Sequence, residues 1–175
     1  MTGQPALRGL LCGLLLGLAA PAGAQNLDPA PWRGGFDACV AGAADATALI
    51  ACKGLAARAC MDGAEGGMTQ LGMTECTAME GALWDELLNA DWPRHRDWAR
   101  AADATEAEIF GDAFSDRADA LLAAQRAWIA FRDAQCRLEY AAWGSGSMRS
   151  LAAASCVGDM TAERVIVLRQ MTEGM

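Results

Sequence analysis

The sequence predicts an all-α protein, organised as a small helical bundle that disulfide bonds brace. Two observations carry this prediction: a long segment with helical spacing of apolar residues, and an even number of cysteines after a predicted export signal. Residues three, four and seven apart share one face of a helix. Two adjacent stripes of this kind run through residues 121–140. Leu121, Gln125, Trp128 and Arg132 form one stripe, and Leu122, Ile129, Cys136 and Tyr140 form the other.

An N-terminal secretion signal peptide is predicted over residues 1–24. Arg8 supplies the positive start, residues 9–20 form a short apolar run, and Ala22-Gly23-Ala24 is a cleavage site of the A-x-A type. The apolar run is too short to span a bilayer, and no later segment is apolar enough to do so. We therefore expect a periplasmic or secreted protein that starts at Gln25 and does not insert into the membrane after signal removal.

Six cysteines remain once the leader, which contains Cys12, is removed. An even number in an exported chain is typical of a disulfide framework, and six cysteines allow 15 pairings. We favour Cys60–Cys76 and Cys136–Cys156, because each would close a short Gly-rich loop between helices, and this choice leaves Cys39–Cys52. A metal site is the alternative use of these thiols. The chain has no Cys-x-x-Cys pair and a single histidine, His95, so no metal and no cofactor is predicted.

The chain is acidic, with 22 Asp and Glu against 14 Lys and Arg. Arg8 is the only charged residue of the predicted leader, so the mature chain keeps 13 basic residues and a formal charge of −9. This charge argues against nucleic acid or anionic lipid as the main partner. It favours association with a cationic protein, although acidity that only keeps an exported protein in solution has the same signature.

The mature chain is predicted to be one helical domain over residues 36–175, after a flexible lead-in over residues 25–35 that is rich in proline and glycine. Short helices are expected over residues 36–40 and 46–61, and the Gly-rich residues 62–67 end the second.

Thr69 is the predicted N-cap of a third helix that ends near Asn89 or Trp92. Pro93 is expected to kink or end this helix, because proline lacks the backbone N–H and clashes with the preceding turn. Residues 94–104 would then form a separate helical piece.

Residues 103–115 are polar and acidic, and they are predicted to form a loop with one turn of helix. Ser115 is the predicted N-cap of the main helix, the one that carries the two apolar stripes. A permissive turn follows at residues 144–148. Thr161 is the predicted N-cap of a last helix over residues 162–171.

Arg132 lies on the face that the main helix must bury, beside Gln125 and Trp128. Because an unpaired buried charge is costly, Arg132 needs an acidic partner, and Glu80 and Asp85 on the third helix are the candidates. We favour an ion pair that fixes how the two helices dock. The alternative is a ligand-binding cluster, since a guanidinium beside an indole can hold a carboxylate or stack on a ring.

Arg164 is interpreted in the same way, as the partner of an acid on the main helix such as Asp133. No catalytic constellation is predicted, and we expect the protein not to be an enzyme. The serines of residues 145–155 have only the distant His95 as a base, and paired acids such as Glu106 and Glu108 are typical of a solvated face.

A motif on the main helix and beyond it carries a family resemblance. Gln125-x-x-Trp128-x-x-Phe131-Arg132-Asp133-x-x-Cys136, followed by Gly144, Gly146-Ser147, Cys156 and Thr161-x-x-Arg164-x-x-x-Leu168, resembles the LprI-like lysozyme-inhibitor family of bacterial envelope proteins. Cys60, Cys76 and Asp85-x-x-Leu88-Asn89-x-x-Trp92 extend the resemblance over Cys60 to Leu168. The chain departs from the family at Phe131 and Trp92, where Tyr is common, and at Pro93. Residues 39–52 lie outside the common core.

The resemblance implies an exported, non-catalytic protein that binds and blocks a cationic lysozyme. The motif residues are interpreted as structural: Asn89, Gln125, Trp128, Arg132, Asp133, Thr161 and Arg164. Two other regions are candidates for contact with the partner, because binding residues tend to lie on loops of a rigid scaffold. They are the loop with Ser145, Ser147 and Arg149, and the acidic residues 103–116. The alternative function is a periplasmic structural or assembly module that binds another envelope component.

Overall fold

The computed structural model of the protein describes residues 27–173, apart from the side chain of Asp112. The predicted signal peptide lies outside the described residues. Five α-helices and two short 3₁₀ segments make up the described chain, which contains no strand. The helices are α1 (Gly34–Gly42), α2 (Leu55–Gly63), α3 (Gln70–Phe110), α4 (Arg117–Ala142) and α5 (Arg149–Glu173), and the 3₁₀ segments are Thr47–Cys52 and Gly111–Phe114. The predicted all-α class is confirmed.

Three long helices form the body of the bundle. Gly81 of α3 meets Gly158 of α5 and Asp91 meets Arg169, so these two helices run parallel. Helix α4 runs antiparallel to both, as the short turn after it requires. The core between the helices is apolar and includes Leu83, Trp84, Leu88, Leu121, Val165 and Leu168, each at most 7% exposed. Burial of this face drives the helices together.

The N-terminal segments cover the first half of α3. Phe36 of α1 packs edge-on against Trp84 of α3, with ring centroids 4.9 Å apart. Trp32, in the turn before α1, also packs against the core. Three disulfide bonds fasten the layers: Cys39–Cys52, Cys60–Cys76 and Cys136–Cys156. These are the pairs that the sequence favours, and disulfides of this kind fit an extracytoplasmic location.

Helix α3 does not end at Pro93, and the predicted separate helical piece over residues 94–104 is wrong. The helix runs unbroken for 41 residues with Pro93 inside it. Packing on both sides of the proline explains the continuity, because Leu88, His95 and Ala99 are all buried. A salt bridge from Arg169 of α5 to Asp91, at 2.5 Å, fixes the same turn. Tertiary contacts here outweigh the local cost of the proline.

Three further element predictions are corrected. The predicted helix over residues 46–61 is divided at Gly54, whose φ of 80° is a left-handed conformation that favours glycine. Ser115 does not cap α4. Thr161 does not begin a helix either, because it is buried within α5 and its hydroxyl donates to the Val157 carbonyl at 2.7 Å. Of the three predicted N-caps, only Thr69 is confirmed. Its hydroxyl accepts from the Gly72 N–H at 3.1 Å in the first turn of α3.

Helices α2 and α4 receive their N-terminal caps from acidic side chains of α3. The Asp103 carboxylate accepts from the N–H groups of Arg117 and Ala118, at 3.0 and 2.9 Å, in the first turn of α4. Glu80 does the same for α2, through the N–H groups of Gly54 and Ala57 at 2.5 and 2.8 Å. Although desolvation raises the pKa of Asp103, these hydrogen bonds bring it below its ordinary value. One long helix thus satisfies the free donors of two others.

Helices α3 and α5 cross closely at a pair of glycines. A Cβ added at Gly81 would lie 3.3 Å from the Gly158 Cα, which is tighter than an ordinary contact. Gly81→Val should therefore lower the free energy of unfolding by about 1–3 kcal/mol, measured by urea denaturation. Gly81→Ala should change it little, since helix propensity gains up to about 1 kcal/mol against the crowding. A Val variant as stable as the Ala variant would contradict the close crossing.

Candidate functional site

The predicted motif residues converge on one place, the junction of α3, α4 and α5. Asn89 lies on α3, Gln125, Trp128, Arg132 and Asp133 lie on α4, and Thr161 and Arg164 lie on α5. Each of the seven contacts another member directly or through Asp85. We call this set of residues, together with Asp85, the motif cluster.

Arg132 is the centre of the motif cluster. Its guanidinium lies 3.6 Å from the Asp85 carboxylate of α3 and 2.9 Å from that of Asp133. It also donates to the Thr161 hydroxyl at 3.4 Å, so it joins all three helices. Asn89 orients Asp85 by donating to its carboxylate at 2.8 Å. Of the two predicted partners of Arg132, Asp85 is therefore correct.

Trp128 is flanked by two guanidinium groups. The Cζ atom of Arg132 lies 5.1 Å from its ring centroid, and that of Arg164 lies 5.6 Å away. Arg164 donates from Nε to the Gln125 side-chain oxygen at 2.9 Å. It forms no salt bridge with Asp133, so that predicted pairing is wrong. Asp133 binds Arg132, its immediate neighbour in the sequence, instead.

Glu80 has a role that the sequence analysis missed. It is only 6% exposed and holds the start of α2, and the Trp84 indole N–H also donates to it at 3.4 Å. It makes no contact with Arg132. The absence of Ser, Thr, Asp or Asn at Gly54, where α2 begins, is the sequence signal that a cap must come from elsewhere.

The profile described as "Lysozyme inhibitor LprI" matches residues 60–168, which include the whole motif cluster. The chain belongs to the LprI lysozyme-inhibitor family. An uncharacterised protein of Rhizobium meliloti (strain 1021) is 31% identical over 109 residues, which cover 61% of this chain and 76% of the relative. No solved structure matches the chain at a significant level.

The LprI match leaves α1 and the first disulfide outside its bounds, since it begins at Cys60 in α2. It covers both candidate contact regions, which lie at the two ends of α4. Within the described residues 27–173, no group of three or more His, Cys, Asp and Glu side chains is placed to hold a metal ion. In the same range no helix is long and apolar enough to cross a membrane.

The turn from α4 to α5 is the first candidate region. Ser145 and Ser147 are exposed in it. Arg149 is less exposed than the two serines. It is half-buried at the start of α5, and its Cζ lies 3.9 Å from the Tyr140 ring centroid. The exposed Trp143 sits beside the serines. The turn therefore exposes two hydroxyl groups next to an indole. The Cys136–Cys156 disulfide joins the two helices that flank it.

The second region, residues 103–116, forms the tip where α3 turns back into α4. It is not the predicted loop, because its first half is the end of α3 and a 3₁₀ segment follows. Thr172, near the C-terminal end of α5, lies 3.4 Å from His95, whereas α3 continues to Phe110. Three large apolar side chains are exposed at this tip: Ile109 at 69%, Phe110 at 56% and Phe114 at 59%. From the sequence, only the acids of this segment were expected to contact a partner. The sequence signal for an apolar contact here is the Ile109-Phe110 pair at an otherwise acidic helix end.

His95, the only histidine, is completely buried between α3 and α5. Burial lowers its pKa below the ordinary 6.5, which Asp91 offsets in part and the nearby Arg94, Arg169 and Arg164 reinforce. The unfolded chain therefore takes up a proton at a higher pH than the folded protein. Stability should be full above the unfolded pKa and should fall as the pH drops below it.

We expect the urea midpoint to fall between about pH 7.5 and 5.5, a window in which carboxylates of ordinary pKa stay ionised. His95→Gln removes the titrating group, so its midpoint should be lower but much flatter over the same window. A wild-type midpoint that is constant or rises on acidification would show that His95 is not held neutral.

Proposed function

We propose that the protein is an exported, non-catalytic inhibitor that binds a cationic lysozyme and blocks it. The observation that carries this proposal is the LprI match over residues 60–168, which includes the motif cluster and both candidate contact regions. The three disulfides support export, and we propose that the protein is periplasmic or secreted after removal of residues 1–24.

Charge supports the choice of a cationic partner. The proposed mature chain carries a formal charge of −9, and residues 103–116 contain five acids and no basic residue. Complementary charge speeds the encounter of two proteins and orients them. Attraction of this kind weakens as salt screens it.

The motif cluster acts in this proposal as scaffold rather than as contact surface. Arg132 links α3, α4 and α5 through contacts to Asp85, Asp133 and Thr161. It thereby fixes the angle between α4 and the other two long helices. Both ends of α4, the tip at residues 103–116 and the turn with Ser145 and Ser147, are held in place by that angle. We propose these two ends as the lysozyme contacts.

Salt dependence and charge reversal test the proposal together. Binding of the oxidised mature chain to a cationic lysozyme, measured by calorimetry, should weaken by about tenfold or more between low and physiological salt. Glu108→Lys with Asp116→Lys should weaken it further, since both residues are exposed at the tip. Asp62→Lys with Glu65→Lys, exposed at the end of α2, is the matched control.

Equal losses in the two charge-reversed variants would place the contact elsewhere on the molecule. No binding of any lysozyme by a demonstrably folded wild-type chain would overturn the proposed function itself. That outcome would favour the alternative of an envelope structural or assembly module.

A further inference from the structure

We propose that the groove between α4 and α5, beside Trp128, binds a carboxylate that is carried next to a small apolar group. The groove has a volume of about 240 Å³ and is lined by Trp128, Phe131, Met160, Glu163, Arg164 and Val167. This binding site is separate from the two ends of α4, and the inference does not depend on lysozyme inhibition.

Arg164 is the one cationic side chain that lines the groove. Three other partly buried arginines each pair with a carboxylate: Arg132 with Asp85, Arg169 with Asp91, and Arg117 with Asp103. Arg149, which is also half-buried, lies over the Tyr140 ring instead. Arg164 forms no salt bridge with any residue in the described part of the chain, although it is half-buried. A charge that leaves water without a counterion is costly. A bound anion would remove that cost.

The Arg164 guanidinium is already positioned for a carboxylate. Its Nε donates to the Gln125 oxygen at 2.9 Å, and Gln125 is itself 9% exposed. The Trp128 ring flanks the guanidinium plane, with the centroid 5.6 Å from Cζ. Nε is therefore occupied, and the two terminal nitrogens form no hydrogen bond with a described residue. Together they match the two oxygens of a carboxylate in a bidentate pair.

The rest of the groove defines what the carboxylate is attached to. Phe131 and Val167, 58% and 51% exposed, stand beside Arg164 and offer apolar contact to a neighbouring group. Glu163 is the one acid of the lining, and Lys53 holds it at 3.7 Å. Its charge disfavours a ligand with a second carboxylate. The site thus fits a monocarboxylate with a small apolar substituent.

Two envelope chemistries supply this pattern, and both place a methyl-bearing carbon next to the carboxylate. One is the lactyl ether of N-acetylmuramic acid, and the other is the C-terminal D-alanine of a peptide. Titration of the Trp128 indole N–H signal by NMR, with N-acetylmuramic acid and with N-acetyl-D-alanyl-D-alanine, distinguishes the two sources. N-acetylglucosamine and the C-terminal amide of the dipeptide are the uncharged controls.

At least one of the two carboxylates should shift the Trp128 signal saturably, and its uncharged control should bind at least tenfold more weakly. Arg164→Met should weaken binding at least tenfold, and Arg164→Lys should weaken it less. Arg126→Met, at an exposed position on α4, is the matched control and should bind as the wild type does. The amide control on the wild-type protein decides the matter if Arg164→Met does not fold. Failure of both carboxylates to bind, or equal binding of the uncharged controls, would overturn the inference.

Discussion

Glu80→Ala should lower the free energy of unfolding by about 3 kcal/mol, because it leaves buried backbone donors without a partner. The carboxylate accepts from the N–H groups of Gly54 and Ala57 and from the Trp84 indole. Alanine leaves the first turn of α2 uncapped inside the protein. The loss should therefore exceed that of an ordinary helix cap, about 1 kcal/mol.

Two variants make the Glu80 measurement specific. Glu75→Ala removes an exposed acid from the same helix and should change the free energy of unfolding by less than about 0.5 kcal/mol. Glu80→Gln keeps the shape and one acceptor oxygen, so its loss should lie between the two alanine variants. The account of Glu80 fails if Glu80→Ala is as stable as Glu75→Ala in urea.

Replacing Cys60 and Cys76 together by alanine should cost about 3 kcal/mol, the value expected for a cross-link across a loop of this size. The two cysteines are 16 residues apart and at most 1% exposed, and their bond joins α2 to α3. Its loss raises the conformational entropy of the unfolded chain and leaves a small cavity in the core.

The disulfide prediction is checked by urea midpoints of the double variant and of the parent chain, with and without reductant. Reduction breaks all three bonds, so the reduced parent should be less stable than the oxidised double variant. A double variant with an unchanged midpoint would show that the Cys60–Cys76 bond does not stabilise the fold.

Much of the fold is predictable from local patterns in the sequence. The two stripes of residues 121–140 predict α4 because the helical period persists over five turns. Thr69 marks the start of α3 because its cap is local, with the acceptor and donor three residues apart. The cysteine pairs are predictable because each joins segments that are near in sequence.

Two of the errors share a physical cause, which is a contact distant in sequence that overrides a local preference. Pro93 is tolerated because α5 packs along α3 on both sides of it. Ser115 is displaced as a cap by Asp103, twelve residues earlier and across the hairpin. Thr161 satisfies its hydroxyl within α5, so its side chain is free to face Arg132.

The sequence predicts which residues form the candidate site but not which of them pair with each other. The family motif names all the residues that meet at the junction of α3, α4 and α5. It does not show that Arg132 takes both nearby acids, Asp85 and Asp133, while Arg164 takes none. That difference depends on helix rotation, which only the packed structure fixes.

Inhibition of lysozyme turnover by the oxidised mature chain tests the central claim most directly. Several lysozyme types should be assayed, with a reduced sample of the same chain as the control. We expect inhibition of at least one cationic lysozyme. Reduction should abolish this inhibition, because the helices that carry the contact regions come apart. Undiminished turnover of every type, in the presence of a chain shown to be folded and oxidised, would contradict it.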